Sequence, residues 1–441
     1  MVRTIKIKKG LDIPMGGAAT GKVEESQEGG LYAIVPEDYP GYTWKVCVKP
    51  GDVVKSGSPL LYAKEDEGLK LTSPVSGVVD EIHRGERRKI EYVSVKKEGA
   101  ESETISKPTD KASLLTALKE SGLFALLRQR PFDIVPQGES PRDIFVTGFD
   151  SAPLAPTLLT DSVKADLEAG LKALQMLTTG KVYLGLPKEA GFESKVAETY
   201  EFVGPHPAGN VGVQIAAISP VNKGEEVWTL DVVTAARIGK LASKGEVDYS
   251  TVVAVTGEDV KTPKLLQTTL GAKIATLIDG NLAETGATLR VISGNVLTGK
   301  KVSSESGFLR YPYRQITVID EGDQADEFMG WASLAPGKYS VKRTFPAFLM
   351  GLSHKFRFDA RIKGGHRAMI LSGEYDKVFP FDIYPEYLIK AIMAKNIERM
   401  EELGIYEVAP EDFALPEFVD TSKIELQQIV REGLDYLRSE I

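Results

Sequence analysis

The chain has 441 residues, 42% of them hydrophobic and 26% charged, with a net charge of −8. This is an ordinary globular composition with room for roughly three domains, and its acidic balance with dispersed lysines and arginines argues against nucleic-acid binding. The single cysteine, Cys47, excludes an intrachain disulfide and an iron–sulfur cluster held by this chain alone, since a cluster needs about four thiolates.

The N-terminal segment is basic but carries no apolar core of a signal peptide, and no stretch approaches the ~20 apolar residues that span a bilayer. A cytoplasmic protein that meets a membrane only through partners is expected. Residues 1–100 read as all-β, with alternating runs at 45–48, 77–82 and 90–95 separated by turns such as Pro50-Gly51-Asp52 and Ser56-Gly57. Segments 48–61 and 71–82 look like the halves of one sandwich and resemble the biotinyl/lipoyl, or barrel-sandwich, fold. In that fold a hairpin-tip lysine carries the cofactor. Lys70 is the nearest equivalent, but Pro74 follows too soon for the strand beyond such a tip, so a scaffold is expected instead. Two stretches, 16–22 and 294–300, match the start of a phosphate-binding loop. They continue with Val23 and Lys301 where a magnesium-holding Ser or Thr belongs, so neither is read as a nucleotide site.

Residues 101–260 alternate strand and helix, the pattern of a parallel α/β domain. A helix capped by Asp110 carries Leu114, Leu115 and Leu118, and strands are expected at 144–148, 182–186, 200–203 and 251–255. Val163, Leu167, Leu171, Leu174 and Leu177 form one helical stripe, with Gly180 as its stop, and 232–241 forms a shorter helix. Residues 261–345 read as a small α+β unit with strands at 289–294 and 315–319, followed by Trp331 and a Pro336-Gly337 turn. Residues 346–441 read as helical. One helix opens at Pro385, runs through Leu388, Ile389, Ile392, Met393, Ile397 and Met400, and stops at Gly404. A second opens on a Ser422–Glu425 capping box and carries Leu426, Val430, Leu434, Leu437 and Ile441.

The most shaped stretch is 201–215, where Gly204, Pro205, His206, Pro207, Gly209 and Gly212 crowd between two apolar runs just after an expected strand. Proline fixes φ and glycine permits close backbone approach, so a rigid loop is expected in the place where α/β proteins bind ligands. No acidic or nucleophilic residue stands beside His206 in sequence, and the four histidines form no short-spaced metal pair. No triad, carboxylate pair or metal set stands out, so no catalytic residue is assigned.

Together with GPHPAG at 204–209, the segments IKIKKGLDIP (5–14), GDVVKSG (51–57), RGERRKI (84–90), LLRQRPF (126–132), RVISGNVLTG (290–299) and HRAMILSGEYDKVFPFDI (366–383) resemble the A-subunit of the sodium-translocating NADH:quinone oxidoreductase over the whole chain. The resemblance implies a peripheral subunit of a six-subunit respiratory translocase, on the cytoplasmic face of the membrane and docked on the membrane-embedded B-subunit. FAD, FMN, riboflavin and Fe–S centres are then expected in other subunits and no cofactor in this chain. It also implies barrel-sandwich (1–100), Rossmann-like α/β (101–260), β-grasp or SLBB-like (261–345) and C-terminal helical (346–441) domains, as in flavin-binding relatives from the Rnf complex and complex I. Where those relatives carry a glycine-rich flavin loop, this chain places Leu126, Leu127, Arg128 and Phe132, and it has no cluster thiols at 414–420. Tyr42, Trp44, Arg128, Arg130 and Phe132 are the candidates either for a quinone slot or for a patch that meets the B-subunit. Two other readings are a carrier protein, which Lys70 fails on spacing, and a stand-alone SLBB-type ligand-binding scaffold.

Overall fold

The computed structural model describes residues 2–27, 30–323, 337–342, 349 and 354–440; Trp331, Pro336 and Ile441 lie outside them. The middle of the molecule is a six-stranded sheet in the order Arg3–Lys6, Glu198–Val203, Val182–Pro187, Asp143–Thr147, Val227–Asp231 and Arg128–Arg130. The first five strands run parallel and Arg128–Arg130 closes the edge antiparallel. Strand period sorts the two faces. Ile144 and Val146 join the core that holds Leu167, Leu171, Leu174 and Leu177 of the helix Asp161–Leu177. Phe145 between them joins a second core, shared with the helix Val211–Ile218 and the C-terminal helices.

The domain boundaries expected from sequence shift in three places. Arg3–Lys6, assigned to the first β domain, pairs with Glu198–Val203 of the α/β sheet, because the open edge of a parallel sheet offers unpaired backbone groups that a short extended segment can satisfy. Val23–Glu25 pairs with Lys264–Thr269 for the same reason. Ser250–Thr256, placed before a boundary at 260, is the central strand of the next sheet, between Gln315–Asp320 and Lys264–Thr269. That sheet is mixed and six-stranded, and the phosphate-loop lookalike 294–300 is its turn from Leu289–Ser293 into Lys300–Val302. The remaining N-terminal β strands form one sheet of four and one of three around Leu60, Leu61, Leu71, Val79 and Val93. Lys70 starts the strand Lys70–Thr72 and faces Tyr62 across the ladder, so it is not at a hairpin tip.

The C-terminal stripe is split. Pro385 opens Pro385–Met393 as expected, but Lys395 turns to φ 51° and Asn396 starts a new helix, Ile397–Glu402, by accepting a hydrogen bond from the Arg399 amide at 3.0 Å. The Ser422–Glu425 capping box does not form. Ser422 donates to the Ala368 carbonyl, Asp420 takes the Ile424 amide, and the helix begins at Leu426. Gly180 is not the helix stop either, since Asp161–Leu177 ends on an extended Thr178 whose hydroxyl bonds the Pro141 carbonyl. Among the described residues no helix is long and apolar enough to cross a membrane.

Candidate functional site

The strand order of the α/β sheet reverses between Asp143–Thr147 and Val227–Asp231, because the chain moves to one side after the first strand and returns to the other for the second. Ligands of open α/β sheets bind outside the carboxyl ends of such a pair. A cavity of about 660 Å³ lies there, the size of a small-molecule site. Thr147 and Asp231 end the two strands at its floor, and the 204–210 loop forms one wall. Tyr311, Tyr313 and Arg314 reach in from the mixed sheet, and Glu411 and Arg431 from the C-terminal part.

The loop is fixed by hydrogen bonds within the chain. Gly204 sits at φ +151°, and an added Cβ would strike the Ile7 carbonyl. The His206 amide donates to Asp12 at 2.9 Å, its carbonyl accepts from Leu11, and its Nδ1 lies 3.0 Å from the Ser151 hydroxyl, which also accepts from the Gly209 amide. Burial pulls the His206 imidazole down to about 4, so it is neutral at neutral pH.

Behind the loop the helix Val211–Ile218 begins, and its N-cap Asn210 makes no side-chain capping bond. In a nucleotide-binding α/β fold such a helix start meets a phosphate. Here it meets Asp412: an added Cβ on Gly212 would lie 2.5 Å from Asp412 Oδ1. Asp412 is held by the Ala409 amide at 2.9 Å and by Arg130 Nη1 at 3.1 Å. Arg130, only 2% exposed, also bonds Glu411 at 2.6 Å and lies 3.7 Å from Asp133. Three carboxyls thus share one guanidinium. Burial alone lowers Arg130, but the charges of Asp412, Asp133 and Glu411 raise it above its usual range. Burial raises Asp412 against the pull of Arg130, and it raises Glu411 in the same way although that side chain keeps 39% of its surface.

Of the sequence candidates, the cavity collects Arg128, Arg130, His206 and Gly209. Arg128 spends its donors on the carbonyls of Ala125, Leu127 and Asp38 and lies 5.2 Å over the Tyr311 ring. Tyr42, Trp44 and Phe132 do not line the cavity. The Tyr42 hydroxyl donates to the Pro136 carbonyl, the Trp44 indole donates to the Tyr39 carbonyl, and Phe132, at φ 81°, packs against the C-terminal core. With 2% exposure, Arg130 offers no surface to a partner.

Sequence reasoning missed several residues of this site. The run Tyr311-Pro312-Tyr313-Arg314 was legible as an aromatic and basic cluster. Asp231 was legible only as a helix cap; it accepts the Thr234 amide at 2.7 Å and also pairs with Arg314 at 2.5 Å. Asp38, 7% exposed and bonded twice by Arg310 Nε at 2.9 Å, gave no local signal because its partner is 272 residues away.

Family models match the chain in three consecutive blocks: an NqrA N-terminal barrel-sandwich hybrid domain over residues 5–98, an NqrA second alpha/beta domain over 109–247, and an NQRA C-terminal domain over 252–304. The chain is 37% identical to the A-subunit of Na(+)-translocating NADH-quinone reductase from Pasteurella multocida, covering 99% of this chain and 100% of the relative. It is 36% identical to the subunits of the same name from Hahella chejuensis, with coverage of 99% and 100%, and Rhodopirellula baltica, with coverage of 99% and 98%. A crystal structure of an NAD+-reducing [NiFe]-hydrogenase in the air-oxidized state is similar at 14% identity and a TM-score of 0.38, over 75% of this chain and 61% of that one, a likeness too slight to build on.

Proposed function

The chain belongs to the NqrA family, the A-subunits of the Na(+)-translocating NADH-quinone reductase, and on that footing we propose that it is the peripheral, cofactor-free subunit of this sodium pump, docked on the membrane-embedded B-subunit at the cytoplasmic face. As a member of that family it is part of the enzyme complex that couples NADH oxidation and quinone reduction to sodium transport. We read its α/β sheet as Rossmann-like and its mixed sheet as the β-grasp, or SLBB-like, unit.

The observation that carries the cofactor-free reading is Asp412 against Gly212 at the start of the helix Val211–Ile218. A flavin nucleotide brings phosphate to such a helix end. Here a carboxylate of the chain's own C-terminal part stands in that position, held by a buried arginine. A second anion would meet Asp412, Glu411 and Asp133 at close range. FAD, FMN, riboflavin and Fe–S centres are therefore assigned to the partner subunits. A quinone in the cavity of about 660 Å³ would lie beside Tyr311 and Tyr313. Arg128 and Arg130 already have acceptors, which favours a role for both in holding the wall rather than a carbonyl ligand.

Docking is supported by apolar side chains that the chain leaves uncovered. Tyr384, Tyr387 and Met393 are 69%, 53% and 56% exposed at the helix Pro385–Met393. Ile370 and Leu371, 60% and 46% exposed, lie beside Ser372, which bonds Glu386 of the same helix. Exposed apolar side chains grouped in this way mark a contact surface.

The test is a tagged chain recovered from mildly solubilised native membranes. Flavin-bearing partners with sodium-stimulated NADH:quinone activity are expected in the eluate, and no stoichiometric flavin absorbance in the chain purified by itself. Recovery of the bare chain from every mild detergent would overturn the assembly reading. Flavin in the isolated chain would overturn the cofactor-free one.

A further inference from the structure

A second, smaller cavity of about 100 Å³ lies next to the first, sharing Leu158 and Arg314 with it, where the helices Asp161–Leu177 and Val232–Lys244 meet the strand Ser250–Thr256. Thr157, Ser162 and Ser250 are exposed at its mouth, and Arg237, Thr251 and Arg314 are buried at its floor. The first turn of Asp161–Leu177, capped by Thr160, forms one side.

Arg237 is unlike the buried Arg130 and Arg314 and the half-buried Arg310. Arg130, Arg310 and Arg314 each hold a carboxylate. Arg237, 4% exposed, makes no ion pair among the described residues. Its Nη2 donates to the Ser250 carbonyl at 2.6 Å, while Nε and Nη1 have no hydrogen-bond partner. The other cations around the cavity are paired: Lys240 with Asp248 at 3.0 Å and Glu246 at 3.7 Å, Lys244 with Asp166 at 2.8 Å, and Arg314 with Asp231. Arg237 alone among them has no carboxylate in ion-pair reach among the described residues, and a buried charge without a partner is costly. Burial and the neighbouring Arg314 pull Arg237 down to about 10, whereas Arg130 and Arg310 are raised by their carboxylates.

We propose that this cavity is an anion site that takes one small inorganic oxyanion of the phosphate or sulfate class. Arg237 is its counter-charge, and the first turn of Asp161–Leu177 and the Ser162 hydroxyl complete the cradle. The volume suits one such ion, since a single water needs about 10–15 Å³ on the same measure. The helix start adds the electropositive end of a 17-residue helix to the guanidinium. A bound anion would bridge the α/β sheet's helices to the central strand of the mixed sheet, and so would tie the two domains together.

The test is a titration of the full chain with inorganic phosphate, and separately with sulfate, at constant ionic strength, read by calorimetry and by thermal unfolding. A saturable rise in unfolding temperature is expected. Arg237→Met should raise the half-saturating phosphate concentration about tenfold or more, as loss of a charge-assisted hydrogen bond does. Its stability without phosphate should equal or exceed that of the parent, because an unpaired buried charge is gone. Lys240→Met at the rim should weaken phosphate binding several-fold, and it keeps the proposal testable if Arg237→Met fails to fold. The same shift in parent and variants would mark a general salt effect and overturn the proposal. So would the absence of saturation in the parent, which would mean that the cavity holds only water.

Discussion

At the scale of single residues, His206 and Arg130 show how burial sets behaviour. His206 is neutral in the folded chain because its imidazole titrates near 4, against 6.5 when exposed. Between those values the unfolded chain binds the extra proton, so stability is full above pH 6.5 and falls as the pH drops toward 4. The loss is about 1.4 kcal/mol per pH unit, approaching ~3 kcal/mol in all. Urea unfolding across that range should show this slope, and His206→Gln should flatten it. Arg130 carries the opposite lesson. Arg130→Ala leaves Asp412, which has no exposed side-chain surface, without its cation, and should cost about 3–5 kcal/mol in urea unfolding. Adding Asp412→Asn should return much of that loss, since the cost lies in the stranded charge.

At the scale of elements, sequence reading succeeded where period and capping agreed. Asp110 caps Lys111–Glu120 through a reciprocal bond with Ser113, and the Val163-to-Leu177 stripe faces the core as its spacing required. It failed where a distant segment decided the outcome. Arg128–Arg130 has no apolar pattern and is a strand only because Val227–Asp231 offers its edge. Ser422 donates to the distant Ala368 carbonyl instead of accepting an amide of its own helix. The site was legible as the 204–212 loop, but not as the carboxylate facing it, because no local pattern announces a contact between Gly212 and Asp412. That contact gives a prediction. Gly212→Ala puts a methyl 2.5 Å from Asp412 Oδ1 and should destabilise by about 1–3 kcal/mol. In the Asp412→Ala background the same substitution should cost distinctly less, a coupling that a double-mutant cycle on thermal unfolding would measure.

At the scale of the whole molecule, side chains hold the domains to one another as well as packing does. Arg310 joins the N-terminal β domain to the mixed sheet through Asp38, and Arg130 joins the α/β sheet to the C-terminal part through Glu411 and Asp412. On the docking proposed above, the uncovered apolar side chains around Pro385–Met393 are the surface that meets a partner subunit. Tyr387→Asp should leave the unfolding midpoint of the isolated chain within about 0.5 kcal/mol of the parent, as surface substitutions do. It should sharply reduce recovery of membrane partners in the pull-down. A stable variant that still recovers them in full would move the docking surface elsewhere.

The first strand has a consequence for how the protein is made. Arg3–Lys6 completes the α/β sheet by pairing with Glu198–Val203, with Thr4 and Glu201 standing 197 residues apart in the chain. A ribosome adding ~5–20 residues per second releases the first strand roughly 10–40 s before its partner exists. Throughout that interval Arg3–Lys6 is an unpaired edge strand in search of a sheet. The strand must wait until Glu198–Val203 is made, and Val227–Asp231, later still in the chain, extends the sheet on its other side.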